Sequence, residues 1–112
     1  MRTGIEAFYE WEYIGASWTW NASYPGNGGL SLRNPQIMHE VCSRFPWNGT
    51  MNEDHFICMH MFDHKIGKLA TIEQADKFSV EAKDIKGSWG VHAPCVWLPE
   101  KCEEIFNQYK NK

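Results

Sequence analysis

The sequence has no excess of basic residues and no long apolar run. Lysine and arginine together number 11, against 14 aspartate and glutamate residues, which gives a formal net charge of −3. Because proteins hold nucleic acid mainly through basic side chains on its phosphates, this balance argues against a nucleic-acid partner. No stretch approaches the roughly 20 apolar residues of a membrane helix, and none has the pattern of a signal peptide. We therefore expect no nucleic-acid partner and no membrane segment in these residues, and the compartment stays open.

The cysteines are irregularly spaced. The four residues Cys42, Cys58, Cys95 and Cys102 include no C-x-x-C pair. Zinc sites and the disulfide frameworks of small secreted domains both rely on characteristic cysteine spacings. We therefore expect buried free thiols in this chain rather than a disulfide framework or a zinc site.

Aromatic residues, by contrast, are abundant: six Trp, six Phe and four Tyr among 112 residues. We expect a chain of this length to form one domain, residues 1–112, that buries roughly two-thirds of the surface exposed by its unfolded chain. Aromatic side chains at this density suit a tightly packed core, or a site that stacks on the flat or sugar-like face of a ligand. Core packing should account for most of them.

The most unusual segment holds three glycines and an asparagine within four positions: Gly26, Asn27, Gly28 and Gly29. An apolar-polar alternation follows in residues 30–33. Glycine costs backbone entropy, so this cluster is tolerated mainly where the chain needs a positive φ or closely approaches something bulky. One interpretation is a loop that lies against a ligand and offers backbone N–H groups to a polar substrate. The other is an ordinary tight loop between strands.

Helix start signals recur along the chain between short strand-like segments. Asn34 is a favourable N-cap, and Pro35 suits the first turn, where its missing N–H does no harm. Residues 71–74 resemble a capping box. Apolar residues follow these signals at helical spacing. We therefore expect an α/β domain with a short mixed sheet, strands near residues 11–16 and 87–92, and helices that begin at Asn34, Asn52, Thr71 and Pro99, the second of them ending near Gly67.

Two acidic residues, Glu53 and Asp54, stand in the first turn of the second predicted helix. Carboxylates there offset the helix dipole, an effect of up to about 1 kcal/mol, and this alone is a sufficient reason for them. A carboxylate held rigidly at a helix N-terminus and pointed into a cleft can also serve as a general base. The second interpretation gains weight if the glycine-rich segment lies nearby, and both stay open.

Histidine offers two candidates for metal binding. His60 and His64 are four residues apart and share a helix face, but a zinc site needs further ligands, and Cys58 projects elsewhere. We therefore interpret this pair as one exposed, solvated helix face. His92 follows Gly90 at the end of a predicted short strand, where a single imidazole can complete a metal site whose other ligands lie elsewhere. A packed or surface histidine is the alternative.

Several short motifs occur together in a characteristic order, of which the glycine block is the most specific. They are Tyr13-Ile14-Gly15-Ala16-Ser17-Trp18, Gly26-Asn27-Gly28-Gly29-Leu30-Ser31-Leu32-Arg33, Glu53-Asp54-x-Phe56, Phe78-Ser79-Val80-Glu81 and Gly90-x-His92. Over about residues 5–97, this order and spacing resembles the glycosyltransferase-like family catalogued as domain of unknown function 5672 (DUF5672). That family is similar to the A-type glycosyltransferases.

The resemblance implies a fold and a chemistry. The fold would be a partial A-type glycosyltransferase (nucleotide-diphospho-sugar transferase-like) fold, whose donor site lies on a mostly parallel sheet. The activity would be transfer of a sugar from a nucleotide-sugar donor to a hydroxyl of a glycan or other acceptor. Asp54, with Glu53 before it, would supply the catalytic base, and His92 would bind the Mn²⁺ or Mg²⁺ ion that holds the diphosphate. The substrate-binding residues would be Trp18, Gly26, Asn27, Gly28 and Gly29.

The sequence also departs from that fold family. A-type enzymes hold their metal with an Asp-x-Asp pair, which this sequence lacks, and Ser17 stands where a proline usually follows Gly-Ala. We therefore expect the C-terminal, acceptor-side portion of such a domain without its N-terminal nucleotide-binding half. Such a portion would have an exposed sheet edge that promotes self-association. A non-catalytic remnant or a carbohydrate-binding module on the same scaffold is the alternative function.

Overall fold

A computed structural model describes residues 4–80, 88–91 and 99–109 of the chain. These residues form a small mixed α/β domain with a two-stranded antiparallel sheet and four α-helices. A 3₁₀ turn precedes the first strand, and another precedes the last helix. In chain order the elements are the turn Ile5–Phe8, β1 (Tyr13–Ala16), β2 (Asn27–Arg33), α1 (Pro35–Arg44), α2 (Glu53–His64), α3 (Ile72–Phe78), β3 (Ser79–Val80), β4 (Gly90–Val91), the turn Pro99–Lys101 and α4 (Cys102–Tyr109).

The pairing of β1 with β2 is antiparallel and contains a bulge. Gly15 lies opposite Ser31, but its neighbour Ala16 lies opposite Asn27, so residues 28–30 have no partner in the β1 register. Gly15 has no room for a side chain, because a Cβ there would collide with the carbonyl oxygen of Asn27. A bulge bends its strand locally. Here it separates the glycine block from the regular part of β2.

Side chains of β1 alternate between two hydrophobic clusters. Tyr13 packs in one cluster with residues of α1 and α2, among them Val41, whereas Ile14 packs in the other with Phe78 of α3. Both Tyr13 and Ile14 are fully buried. Tyr13 also forms an isolated parallel bridge with Leu69. Strand β1 therefore passes through the centre of the described fold, with helices on both of its faces.

The described residues contain one short pair of parallel strands. β3 and β4 pair in parallel over two residues, Ser79 with Gly90 and Val80 with Val91. The predicted small α/β domain is therefore confirmed at that level. The mostly parallel sheet of a glycosyltransferase fold is not among the described strand pairs, so the A-type fold stays a prediction.

Two of the predicted helix starts are confirmed by their hydrogen bonds. Asn34 Oδ1 accepts the N–H of Gln36 at 2.9 Å, and Thr71 Oγ1 accepts the N–H of Gln74 at 3.2 Å. Each bond satisfies an N–H that has no partner within the helix. α2 ends at His64, slightly before the expected end, and the C-cap residue Lys65 that follows is left-handed (φ 54°). None of the helices in the described ranges is long and apolar enough to cross a membrane.

The cysteines are not all buried free thiols. Cys102 is disulfide-bonded, so the expectation is wrong for this residue. Cys42 and Cys58 are free, and only Cys58 is buried; Cys95 lies outside the described residues. Spacing along the chain did not reveal the bond, because a disulfide depends on how close two cysteines lie in space.

Candidate functional site

The bulge of β2 lies against the first turn of α2. The backbone N–H of Gly28 donates to Asp54 Oδ2 at 2.9 Å, and the N–H of His55 donates to Asp54 Oδ1 at 2.7 Å. Asp54 is half-buried. A carboxylate is favoured at this position because a helix N-terminus carries partial positive charge. The structure therefore brings the glycine block and the acidic pair together, and it holds the Asp54 carboxylate in one orientation.

Glu53 is engaged differently, because it forms a bidentate ion pair with Arg33. Arg33 Nη1 and Nη2 lie 2.8 and 3.0 Å from the two carboxylate oxygens. Arg33 also donates from Nε to Ser31 Oγ and lies 4.8 Å from the centre of the Tyr13 ring. The hydrogen bonds from Arg33 hold the pKa of Glu53 below its usual value, which makes it a weak proton acceptor. Of the two predicted catalytic residues, Asp54 is the better candidate for a base.

The glycine block is a bulged strand rather than a loop with free N–H groups. Gly29 is exposed, but its N–H donates to Asn27 Oδ1 at 2.8 Å, and the Gly28 N–H is bonded to Asp54. Of the two interpretations, the one that needs free N–H groups on Gly28 and Gly29 is therefore wrong. A Cβ on Gly28 would collide with Arg33 Nη2 and lie 3.1 Å from Asp54 Cβ. Substrate contact by this block stays a prediction, but the packing of these side chains already accounts for Gly28.

Gly26 is packed against side chains from other parts of the same chain. Its carbonyl oxygen accepts the Tyr13 hydroxyl at 2.7 Å, and Cys58 Sγ lies 3.9 Å from the same oxygen. Its φ is +149°, and a Cβ would collide with Cys58 Sγ and lie 3.4 Å from the Trp18 ring. Burial raises the pKa of the Tyr13 hydroxyl well above its usual value, so this group stays a hydrogen-bond donor. Internal packing therefore accounts for Gly26 without a ligand.

Five rings next to this buried turn form a contiguous group that we call the aromatic cluster. Trp18 and Trp20 stack with ring centroids 4.9 Å apart, and the His55 ring meets Trp20 edge-on at 4.9 Å. Tyr24 joins His55 to Phe62, with centroid distances of 6.3 and 4.9 Å. Trp20 is 61% exposed and Phe62 is 48% exposed. Trp20 and Phe62 lie at the two ends of the cluster and are joined through His55 and the buried Tyr24. Exposed aromatic side chains of this size are typical of a binding surface.

The sequence identified only one member of the aromatic cluster, Trp18, as a site residue. Two tryptophans only two positions apart, Trp18 and Trp20, were a usable signal, because large aromatic rings this close in the sequence can stack on each other. His55 directly follows the predicted base. Tyr24 and Phe62 come from separate segments of the chain, so only the tertiary structure shows that they meet.

A family model described as a protein of unknown function (DUF5672) matches residues 1–92. The chain belongs to the DUF5672 family. No curated protein and no solved structure matches the chain. The matched residues include the β2 bulge, the acidic pair and the whole aromatic cluster. The DUF5672 membership predicted from the sequence motifs is therefore confirmed, while glycosyltransferase character stays a prediction.

The predicted metal ligand of this DUF5672 domain, His92, lies outside the described residues. Within the ranges that the structure describes, no three His, Cys, Asp or Glu side chains are grouped so that they could hold a metal ion. The other candidates, His60 and His64, both stack on Phe45, with centroid distances of 4.0 and 4.6 Å. Burial lowers the pKa of His60. The expectation of an exposed pair is therefore wrong for His60, which packs α2 against the end of α1.

Proposed function

We propose that this DUF5672 domain takes part in the transfer of a sugar from a nucleotide-sugar donor to an acceptor hydroxyl. One observation carries the proposal. The half-buried, oriented carboxylate of Asp54 is followed directly by His55, whose ring belongs to the aromatic cluster. Acceptor activation needs a proton acceptor beside a surface that binds a sugar ring, and these residues combine the two.

In this proposal Asp54 removes the proton of the acceptor hydroxyl. The hydroxyl oxygen then forms a bond to the anomeric carbon of the donor sugar. The bond from that carbon to the diphosphate breaks, and a nucleoside diphosphate leaves. The N–H groups of Gly28 and His55 hold one carboxylate oxygen each and leave lone pairs for the proton. A base fixed in this way is effective because proton transfer requires hydrogen-bond distance and alignment.

A non-catalytic carbohydrate-binding module, or the remnant of an enzyme, is the second candidate function. The exposed rings of Trp20 and Phe62 support this function as strongly as they support a transferase, because they would bind sugar rings whether or not a reaction follows. The two candidates differ at Asp54. A binding module tolerates replacement of this carboxylate, whereas a transferase that uses it as a base does not.

Replacement of Trp20 by alanine tests the proposed sugar-binding surface. Trp20 is 61% exposed, so its removal deletes stacking surface without opening the core. We expect the KM for the acceptor to rise about tenfold with kcat changed only a few-fold. Trp47→Ala is the matched control, because Trp47 is 57% exposed and lies outside the aromatic cluster. Equal changes of KM in the two variants would contradict a specific role for Trp20.

We also propose, from the resemblance to A-type enzymes, that His92 binds Mn²⁺ or Mg²⁺. When bound, such an ion neutralises charge on the departing diphosphate. The described residues do not provide a ligand set of their own, so no step above is assigned to the ion.

Replacement of His92 tests the metal proposal. His92→Ala should raise the Mn²⁺ concentration needed for half-maximal turnover by about tenfold, because the loss of a ligand weakens metal affinity. His64→Ala is the control, since His64 is an exposed ring stacked on Phe45. It should leave the metal dependence unchanged. An unchanged metal dependence in His92→Ala would exclude His92 as a ligand.

A further inference from the structure

A cleft of about 320 Å³ lies next to the aromatic cluster, between the segment that precedes β2 and the start of α3. The end of α2 contributes to its wall. The side chains that matter for its chemistry are two aromatic rings, two aliphatic groups and two hydroxyls: Tyr24, Phe62, Leu69, Ile72, Ser23 and Thr71.

No side chain that lines the cleft carries a charge at neutral pH. Its one ionisable group is the Tyr24 phenol, and burial raises the pKa of this phenol above its usual value. Phosphate and carboxylate ligands need positively charged partners or converging N–H groups. The cleft therefore does not suit the diphosphate of a sugar nucleotide, and it suits a neutral ligand.

The lining combines ring faces with hydroxyl groups. The Tyr24 and Phe62 rings lie 4.9 Å apart and are tilted by 32°. Thr71 Oγ1 accepts the N–H of Gln74, which leaves its own proton to donate. A pyranose ring has an apolar C–H face and a rim of hydroxyls, and both match this lining. The volume is at the lower end of the roughly 300–1,000 Å³ typical of ligand pockets, which suits a single ring.

We infer that this cleft binds one neutral sugar ring of a glycan acceptor, as a subsite separate from the sugar that reacts at Asp54. The inference rests on the proposed function. Tyr24 and Phe62 belong to both the cleft and the aromatic cluster, and the Tyr24 ring lies 6.3 Å from that of His55. A glycan bound in the cleft can therefore continue across the aromatic cluster towards Asp54. The acceptor is then an oligosaccharide rather than a single sugar.

An NMR titration of the ¹⁵N-labelled chain tests the subsite. The neutral probes are the methyl β-glycosides of glucose, galactose, mannose and N-acetylglucosamine, and the charged probe is UDP. At least one glycoside should shift the amide signals of Ser23, Phe62 and Thr71 with a millimolar Kd. UDP should leave these three signals unchanged. Shifts caused by UDP, or no shift with any of the glycosides at roughly 50 mM, would overturn the inference.

Phe62 provides the matched variants for the same titration. Phe62→Ala removes the exposed ring and should weaken glycoside binding about tenfold, whereas Phe62→Tyr keeps the ring and should stay within about twofold. If Phe62→Ala binds the glycosides as tightly as the wild type does, the sugar does not stack on the Phe62 ring, and the inference is overturned. Failure of this inference is distinct from failure of the proposed function. If glycosides bind in the cleft but no sugar is transferred, the proposed transferase activity is wrong and the subsite stands. If sugar is transferred but no glycoside binds in the cleft, the subsite is wrong and the proposed activity stands.

Discussion

Asp54→Asn should lower the rate of sugar transfer by roughly 10²–10⁴-fold with little loss of stability. Asparagine keeps one oxygen that can accept the Gly28 N–H, so the contact between α2 and the β2 bulge survives, and only the local bond from the His55 N–H is lost. It cannot take a proton from an acceptor hydroxyl at neutral pH, so the step assigned to the carboxylate is lost. The measurement is turnover at saturating substrates in the protein that carries these residues, with thermal unfolding as the check on the fold.

Glu53→Gln is the matched control, because it removes the neighbouring negative charge. Glu53 pairs with Arg33, and its side chain is 61% exposed. We expect turnover to fall by less than about tenfold, since a residue outside the proton transfer affects it only indirectly. If Asp54→Asn instead retains turnover within a few-fold of wild type, Asp54 serves only to offset the helix dipole and to anchor Gly28.

Gly26→Ala should lower the free energy of unfolding by about 3 kcal/mol. The φ of +149° disfavours a side chain at this position, and the new Cβ would collide with Cys58 Sγ. Cys58 is fully buried within the hydrophobic cluster that includes Tyr13, so close packing leaves it little room to move aside. The measurement is equilibrium unfolding in urea followed by tryptophan fluorescence.

Gly49→Ala separates backbone strain from the steric collision. Gly49 also has a positive φ, +82°, but nothing lies within 4 Å of a Cβ built there. Only backbone strain remains, and it should cost about 1 kcal/mol. Cys58→Ala combined with Gly26→Ala should recover part of the loss, because it removes the colliding sulfur and makes the two changes less than additive. Equal destabilisation by Gly26→Ala and Gly49→Ala would show that Cys58 is not the cause.

Local chemistry explains which parts of the fold could be predicted from the sequence. Asn34 and Thr71 begin helices as expected, because each cap bonds an N–H two or three residues further along the same chain. The position of Asp54 in the first turn of a helix follows from the same kind of signal. The family could also be predicted, since its motifs are short and ordered along the chain, and the match over residues 1–92 confirms it.

The glycine block was harder to interpret, because the groups that it accommodates come from elsewhere in the chain. Gly28 makes room for Arg33 and Asp54, and Gly26 makes room for Cys58. Asp54 is 26 positions from its partner glycine and Cys58 is 32 positions from its own. Glycine spacing indicates that something approaches closely, but it does not distinguish a ligand from a side chain of the same protein. The aromatic cluster could not be predicted for a similar reason, because its rings come from separate segments of the chain.

The central claim is that a sugar is transferred with Asp54 as the base. The most direct measurement is mass spectrometry of an oligosaccharide acceptor incubated with the protein that carries these residues and with a panel of UDP- and GDP-sugars. We predict that one donor increases the acceptor mass by a single sugar residue, with release of its nucleotide. Asp54→Asn should reduce this product at least about a hundredfold. No mass increase with any donor, or an equal yield from Asp54→Asn, would contradict the claim.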